Sequence, residues 1–305
     1  MKILITGGAG FIGSHIVDAC LQRGDEVFVI DNLSTGQREN ISHHAGDSSL
    51  HFFEADICDT VRMQEIFGDV RPDAVFHLAA QVNVRHSIQD PHNCAQINIL
   101  GTLSILAAMR EAGCTRMIFA STGWVMFSTD TPPYSESDIP SPNTPYGISK
   151  FSAEQFIDFY SRQYGIRSTI LRYANVYGPR QDPRGEAGII CIFLDKIREN
   201  SAPIIFGDGE QTRDFIHVDD VVRANLHVLE KDILGVYHVG TGVETSVNTL
   251  WRNISTTKNS NLIPTYGPAI AEPRHVCLNI QKLLSTGWSP QYDIDQGIQS
   301  LLHVS

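Results

Sequence analysis

The sequence predicts an α/β chain, a doubly wound parallel sheet joined to a smaller, mixed α/β C-terminal lobe. Three observations carry that expectation. Through about residue 175, short apolar runs alternate with longer helical patterns, as in a parallel sheet covered on both faces. The first apolar run passes directly into clustered glycines, where such a sheet turns into its first helix. Beyond Asn175 the rhythm breaks: glycine and proline become denser, strands look shorter, and the order of elements is mixed.

Taken in order, strands are expected at Lys2–Thr6, Glu26–Asp31, Leu50–Glu54, Ala74–Leu78, Arg116–Ala120 and Ser168–Arg172. Helical patterns fall near 12–22, 92–112 and 145–164. Gly235–Val239 reads as a late return to the sheet. The expected division is therefore 1–174 plus about 213–243 for the sheet domain, and about 175–212 with 244–305 for the second lobe.

Composition excludes several classes. The net charge of −11 makes the whole-molecule field repel polyanions, so no nucleic-acid partner is expected, although a small anion can bind where arginines converge. No stretch approaches the roughly 18 consecutive apolar residues that span a bilayer. The N-terminus opens on Ile3-Leu4-Ile5 without the basic flank of a signal peptide. Cys20, Cys58, Cys94, Cys114, Cys191 and Cys277 are scattered, with no Cys-x-x-Cys pair, and read as reduced thiols of a cytoplasmic protein. His217 has no ligand spacing around it and reads as structural, so no metal is expected.

Gly7, Gly10 and Gly13 are spaced G-x-x-G-x-x-G between the first strand and the first helix. A pyrophosphate approaching the helix N-terminus needs bare backbone there, and the strand needs room to turn. A phosphate loop of the lysine-bearing kind is excluded, because Ser14 and His15 follow Gly13. Asp31 ends the second strand about 20 residues on, where a carboxylate accepts both ribose hydroxyls of a dinucleotide. Its charge would repel a 2′-phosphate, which argues for NAD over NADP; Arg38 lies near enough in sequence to offset it. The alternative for Asp31 is a cap on the following loop.

Tyr146 and Lys150 stand four residues apart on one face at the start of a helix, with Pro145 before them. A tyrosine acting as a base near neutrality needs its pKa lowered by about 3 units, or about 4 kcal/mol. A neighbouring ammonium and an oxidised nicotinamide are the charges that supply such a shift. Thr122, at the end of the fifth strand, is the candidate hydroxyl for orienting a substrate oxygen; Ser121 reads as ordinary turn bonding.

The segments ITGGAGFIGSHIVD, DNLSTG, VFHLAAQ, FAST, TPYGISKFSAEQ, LRYANVYGPRQDP and GDGEQTRDFIHVDDV together resemble the extended short-chain dehydrogenase/reductases, and most of all the UDP-hexose 4-epimerases. The resemblance implies a Rossmann-type sheet and reaches to about residue 242, the last part matching more weakly. It implies that Tyr146 takes the proton of the sugar 4-hydroxyl while hydride passes from C4 to NAD, with Thr122 holding the oxygen and Lys150 binding the nicotinamide ribose. The 4-keto sugar would then turn over and take hydride on its other face. It places Gly7, Gly10, Phe11, Ile12 and Gly13, then Asp31, Asn32, Ser34, Thr35 and Gly36, among the cofactor contacts. Asp56 and Ile57 would flank the adenine, Leu78, Ala79, Ala80 and Gln81 would line the nicotinamide side, and Asn98 would support the site. Asn175, Phe206 and Arg213 match positions holding the nucleotide diphosphate, Arg213 facing its phosphates.

The chain departs from the resemblance in two places. Gly123-Trp124-Val125-Met126-Phe127-Ser128 stands where the epimerases carry glycines, small apolar residues and Tyr-Gly. Trp124 either crowds the sugar pocket or packs against the helix opening at Tyr146. Ala269 stands where a second phosphate arginine is usual, near an acidic position matched by Glu272, and Arg274 is the candidate to substitute. Arg180 and Arg184 read as loop anchors. Related 4,6-dehydratases and decarboxylases place Asp or Glu directly after the threonine, which Gly123 and Trp124 do not; non-catalytic NAD-binding regulators typically lose the Tyr/Lys pair. Ile97, Leu100, Ile105 and Ala108, with Ile148, Phe151 and Phe159, read as core or as the four-helix contact of a homodimer that the resemblance implies.

Overall fold

A computed structural model describes residues 1–126, 132–182, 188–269 and 273–301. The chain order is β1 (Lys2–Thr6), α1 (Phe11–Gln22), β2 (Glu26–Asp31), β3 (Leu50–Glu54), α2 (Thr60–Val70), β4 (Ala74–His77), α3 (Val84–Gln89) and α4 (Pro91–Ala95). A π turn, Gln96–Gly101, joins α4 to α5 (Thr102–Ala112), so the helix expected over 92–112 is continuous but locally widened. There follow β5 (Arg116–Thr122), α6 (Pro145–Tyr164), β6 (Arg167–Tyr173), β7 (Asn175–Tyr177), α7 (Ile189–Arg198), β8 (Ile204–Phe206), β9 (Thr212–His217), α8 (Val218–Glu230) and β10 (Gly235–Val239). The chain closes with β11 (Glu244–Ser246), α9 (Val247–Thr257), β12 (Thr265–Gly267), β13 (His275–Val276), α10 (Gln281–Leu284) and α11 (Ile294–Ser300).

Seven strands form a parallel sheet in the order β10-β6-β5-β4-β1-β2-β3. Its order reverses between β1 and β4, and ligands of such sheets bind at the strands' carboxyl ends beside that switch. Successive side chains of a strand point to opposite faces. Ile3 and Ile5 accordingly pack with Ile16 and Val17 of α1 and Val221 of α8, while Leu4 packs with Met63 and Phe67 of α2 and Leu106 of α5. Strands buried on both faces become continuous apolar runs in sequence.

Two strand ends differ from expectation. β4 stops at His77 because the Leu78 and Ala79 amides turn to Thr6 O, each at 3.1 Å. β5 runs on to Thr122, held in register with β6 by the pairs Ser121↔Arg172 and Thr122↔Tyr173. The second lobe is built around β9, which pairs in parallel with β7 and β13 and antiparallel with β11. Residues 213–243 therefore straddle the two sheets, β9 in the small one and β10 in the large. Phe193, Phe215, Leu250, Trp251 and Ile254 fill the lobe's own core. Among the described residues, no helix is long and apolar enough to cross a membrane.

Candidate active site

The glycine turn brings β1 and α1 to contact distance. Gly7 has φ +72°, and a Cβ there would lie 2.7 Å from Ala79 N; at Gly13 it would lie 2.1 Å from Gly7 O. Gly10 caps α1 without a side-chain bond, so the helix presents bare amides at the strand's end. The side chain of Ile12 packs toward the core and that of Phe11 lies edge-on to His15. What this turn offers a ligand is backbone.

Asp31 is buried at the end of β2, where Oδ2 accepts from Ala9 N at 3.0 Å and Oδ1 from Leu33 N at 2.9 Å. Burial raises its pKa, and those two amides oppose the rise. The carboxylate thus caps the loop and also faces it. Gly36 comes so close that a Cβ would sit 2.8 Å from both carboxylate oxygens. Asn32 Nδ2 donates to Asp56 Oδ2 at 3.0 Å and Asn32 Oδ1 accepts from Ser34 N at 3.1 Å, tying the β2 and β3 loops together. Ser34 and Thr35 are exposed, and Ile57 is a core side chain lying against Gly101. Arg38 pairs with Glu54 at 3.0 Å and lies over the Phe52 ring, so its charge is committed away from Asp31.

Beside the glycine turn, past the end of β4, the Leu78–Gln81 segment is held by Asn98 in the π turn. Asn98 Oδ1 accepts from Gln81 N at 2.7 Å, and its Nδ2 donates to Gln81 O and Ser149 Oγ, each at 2.9 Å. Such local widenings of a helix often mark functional sites. Behind it His77 is fully buried between Thr6 Oγ1 at 2.6 Å and Thr102 Oγ1 at 3.0 Å. Thr102 donates onward to Asn98 O at 2.7 Å, so His77 Nε2–H donates to Thr102 and Nδ1 accepts from Thr6. This is the neutral ring, in accord with a pKa that burial pushes down to about 3.

Thr122 on β5 and Tyr146 on α6 share one cleft, and Lys150 stands one turn further along α6. Thr144 caps α6, its Oγ1 accepting from Gly147 N at 3.1 Å, and Pro145 opens the first turn. The helix then carries Tyr146 and Lys150 inward, 8% and 3% exposed, and Thr122 on β5 is 6% exposed. Lys150 Nζ lies 4.3 Å from the Phe119 ring centroid. Burial brings its pKa down to about 7, against an upward pull from Glu154. Thr122 and Tyr146 line a cleft together with Trp124, Asn175 and Arg213. Trp124 lines the cleft, and a Cβ at Gly147 would lie 2.6 Å from its backbone carbonyl, so the turn that bears it sits close against α6. Phe127 and Ser128 lie outside the described residues.

The NAD dependent epimerase/dehydratase family model matches residues 3–240. The chain belongs to this family. It is 44% identical to a putative UDP-glucose 4-epimerase of Methanocaldococcus jannaschii over 99% of this chain and 97% of the relative. The crystal structure of a Thermotoga maritima UDP-glucose 4-epimerase with UDP-glucose superposes with a TM-score of 0.94 at 42% identity, covering 99% and 97% of the two chains. A Thermus thermophilus UDP-glucose 4-epimerase complexed with NAD gives 0.91 at 34% identity over the whole of both. The epimerase/dehydratase family is NAD-dependent, and the residues here fit the cofactor: a cradle at Gly7 and Gly13 that any Cβ would fill, and a buried carboxylate at Asp31.

Arg213, also in the cleft lining, is 8% exposed on β9, Nη1 donating to Thr212 O at 2.7 Å. Phe206 and Arg274 are not brought into the cleft lining. Phe206 is 42% exposed on β8, and Arg274 pairs at 2.8 Å with Asp208, both side chains more than half exposed. Ala269 lies against Gly207, and Glu272 lies outside the described residues. Val82, Gln181 and Asp214 are among the cleft residues that the sequence does not single out. Asp214 is spent on the 240–242 turn, accepting from Thr241 N at 2.8 Å and Gly242 N at 3.1 Å, a role no local pattern announces. His217 is engaged at both nitrogens, by Asp219 N at 3.3 Å and Ser300 Oγ at 3.2 Å. Arg180 anchors its loop to Asp18 on α1 at 2.7 Å; Arg184 lies outside the described residues.

Proposed function

We propose that this protein is an isomerase, an NAD-dependent 4-epimerase of UDP-hexoses of the UDP-glucose/UDP-galactose type, working through a transient 4-keto sugar. The observation that carries the reading is one cleft lined by Thr122, Tyr146 and Arg213, with Lys150 buried one turn along α6 from Tyr146. The names of the similar proteins point the same way. A dehydratase or decarboxylase of the same fold is disfavoured because Gly123 and Trp124 follow Thr122, with no carboxyl to drive elimination. A non-catalytic NAD-binding regulator is disfavoured by the retained Tyr146 and Lys150.

On this reading Thr122 holds the 4-oxygen and Tyr146 takes its proton, then returns one. Lys150, with a pKa near 7, stabilises the phenolate and binds the cofactor ribose. When bound, NAD would supply a reversible two-electron acceptor for the hydride of C4. Gly7, Gly10, Phe11, Ile12 and Gly13 would take its pyrophosphate, Asp31 to Gly36 and Asp56–Ile57 its adenosine, and Leu78 to Gln81 with Asn98 its nicotinamide side. Asn175 and Arg213, both in the cleft lining, would take the nucleotide diphosphate, while Phe206 stands outside the lining and Arg274 is held by Asp208. Residues 1–174 with α8 and β10 would form the NAD-binding unit, and the remainder, β9 included, the nucleotide-sugar lobe.

The test is incubation with UDP-glucose, UDP-N-acetylglucosamine and UDP-glucuronate, with products resolved by NMR. UDP-galactose is expected from UDP-glucose with no NAD added. No 4-epimer from any of the three, by protein that retains NAD, would refute the reading.

A cytoplasmic homodimer completes it. Leu100, Ile148, Phe156 and Phe159 are 57%, 49%, 38% and 46% exposed on the π turn before α5 and on α6, while Ile105 and Ala108 are core. Light scattering should give about twice the chain mass of 33.8 kDa. A monomer at micromolar concentration would remove this part of the proposal.

A further inference from the structure

Helix α6 carries a second ionisable group inward beyond Lys150: Glu154, one turn further along the same face. Glu154 and Arg172 on β6 are 2% and 4% exposed. Arg172 Nε donates to Glu154 Oε1 at 3.0 Å and Nη2 to Oε2 at 2.6 Å, the two-pronged geometry of a strong pair. Ser121 Oγ donates to the same Oε1 at 2.5 Å, and Arg172 Nη1 meets Met126 Sδ at 2.9 Å. Each anchor adjoins a part of the reaction site. Ser121 precedes Thr122 on β5, Met126 closes the turn bearing Trp124, and Glu154 shares its helix with Tyr146 and Lys150.

A buried ion pair is weak evidence for stability, since desolvation often cancels the attraction and apolar side chains of like volume often serve as well. Apolar side chains cannot supply a fixed negative charge one turn from Lys150. The groups bearing on that ammonium come from several elements. Cys94 on α4 is a thiol whose pKa burial raises, His77 on β4 is neutral, and Phe119 on β5 offers only its ring face. Glu154 is the foremost influence opposing the burial that drives Lys150 toward neutrality.

We propose, resting on the epimerase reading, that Glu154 is a positioning residue of the reaction: clamped by Arg172 and Ser121, it fixes the Thr122 end of β5 against the Lys150 turn of α6 and supplies the counter-charge that keeps the ammonium protonated. The sign follows directly. The Lys150 pKa is already depressed, and loss of the carboxylate lowers it further, so the ammonium is lost at lower pH. A reaction that needs this cation then loses its alkaline limb earlier.

Glu154→Gln is the first variant. It leaves the Arg172 charge unpaired and can fail to fold, so Glu154→Met with Arg172→Met is the second, removing both charges. Arg116→Met is the control for mere destabilisation. Arg116 stands at the opposite end of β5, donating to the carbonyls of Met117 and Val228 at 3.0 and 2.8 Å. Each protein, purified with its cofactor, is assayed across pH on UDP-glucose, and the Lys150 titration is followed by NMR of isotope-labelled lysine. In the paired variant kcat should fall about two- to fivefold at pH 7, the loss of charged fraction when a group titrating near 7 drops by about half to one unit. KM should stay within about threefold, since bound-state phosphate contacts are untouched. Both the alkaline limb and the Lys150 midpoint should move down by about half a pH unit or more. Arg116→Met should lower Tm and move neither. An unmoved Lys150 midpoint in the paired variant, or an equal shift in Arg116→Met, overturns the proposal. Absence of turnover in the parent counts against the epimerase reading instead, and the lysine titration still decides the role of Glu154.

Discussion

Tyr146→Phe is expected to lower turnover by about 10²–10⁴-fold, the usual worth of a positioned proton acceptor. The substitution removes one oxygen and keeps the ring. Tyr146 is 8% exposed in the first turn of α6, and its amide donates to Ser87 Oγ at 3.2 Å, a bond that phenylalanine retains. The Thr144 cap and the Lys150 turn depend on backbone and neighbouring side chains, so fold and cofactor retention should be unchanged. The check is twofold: kcat on UDP-glucose, and the NAD released per chain on denaturation. Turnover near that of the parent would dismiss Tyr146 as the proton acceptor. Loss of NAD along with activity would mean that the phenol holds the cofactor rather than serving the sugar.

Much of this site could be read from the sequence because its signals are local. The glycine turn and the Tyr146–Lys150 pair lie within one strand–helix junction and one helical turn, where spacing fixes geometry. The strands were legible for a different reason: parallel strands such as Ile3–Ile5, buried on both faces, leave unbroken apolar runs. Their ends were less so, since Leu78 leaves β4 and Thr122 stays in β5 through bonds to other strands. Partners far apart in sequence could not be read at all. Asn98 reaches Ser149 across 51 positions and Thr6 meets His77 across 71, pairings fixed only once the sheet register exists. Ser121 shows the same limit: it reads as turn bonding, yet its hydroxyl points to Glu154. Arg274 likewise reads as a spare phosphate ligand, and only the fold places Asp208 beside it.

That placement sharpens the second prediction. Arg213→Ala should cost about 2–5 kcal/mol of nucleotide-sugar binding, as loss of a desolvated charge partner does. Arg213 is 8% exposed in the cleft wall, so a phosphate meeting it is drawn out of water and depends on the guanidinium. Arg274 is 58% exposed and its guanidinium already answers Asp208, an acid whose pKa that bond lowers. Arg274→Ala should therefore change affinity by no more than about threefold, as for exposed pairs generally. The diphosphate lies away from C4 and is held alike in ground and transition states, so Arg213→Ala should raise KM and leave kcat nearly constant. Titration of both variants with UDP separates the cases. Parental UDP affinity in Arg213→Ala would put the phosphates elsewhere and reverse the substrate orientation proposed above. A large loss in Arg274→Ala would mean that Arg274 leaves Asp208 for the diphosphate, restoring the second arginine that Ala269 does not provide.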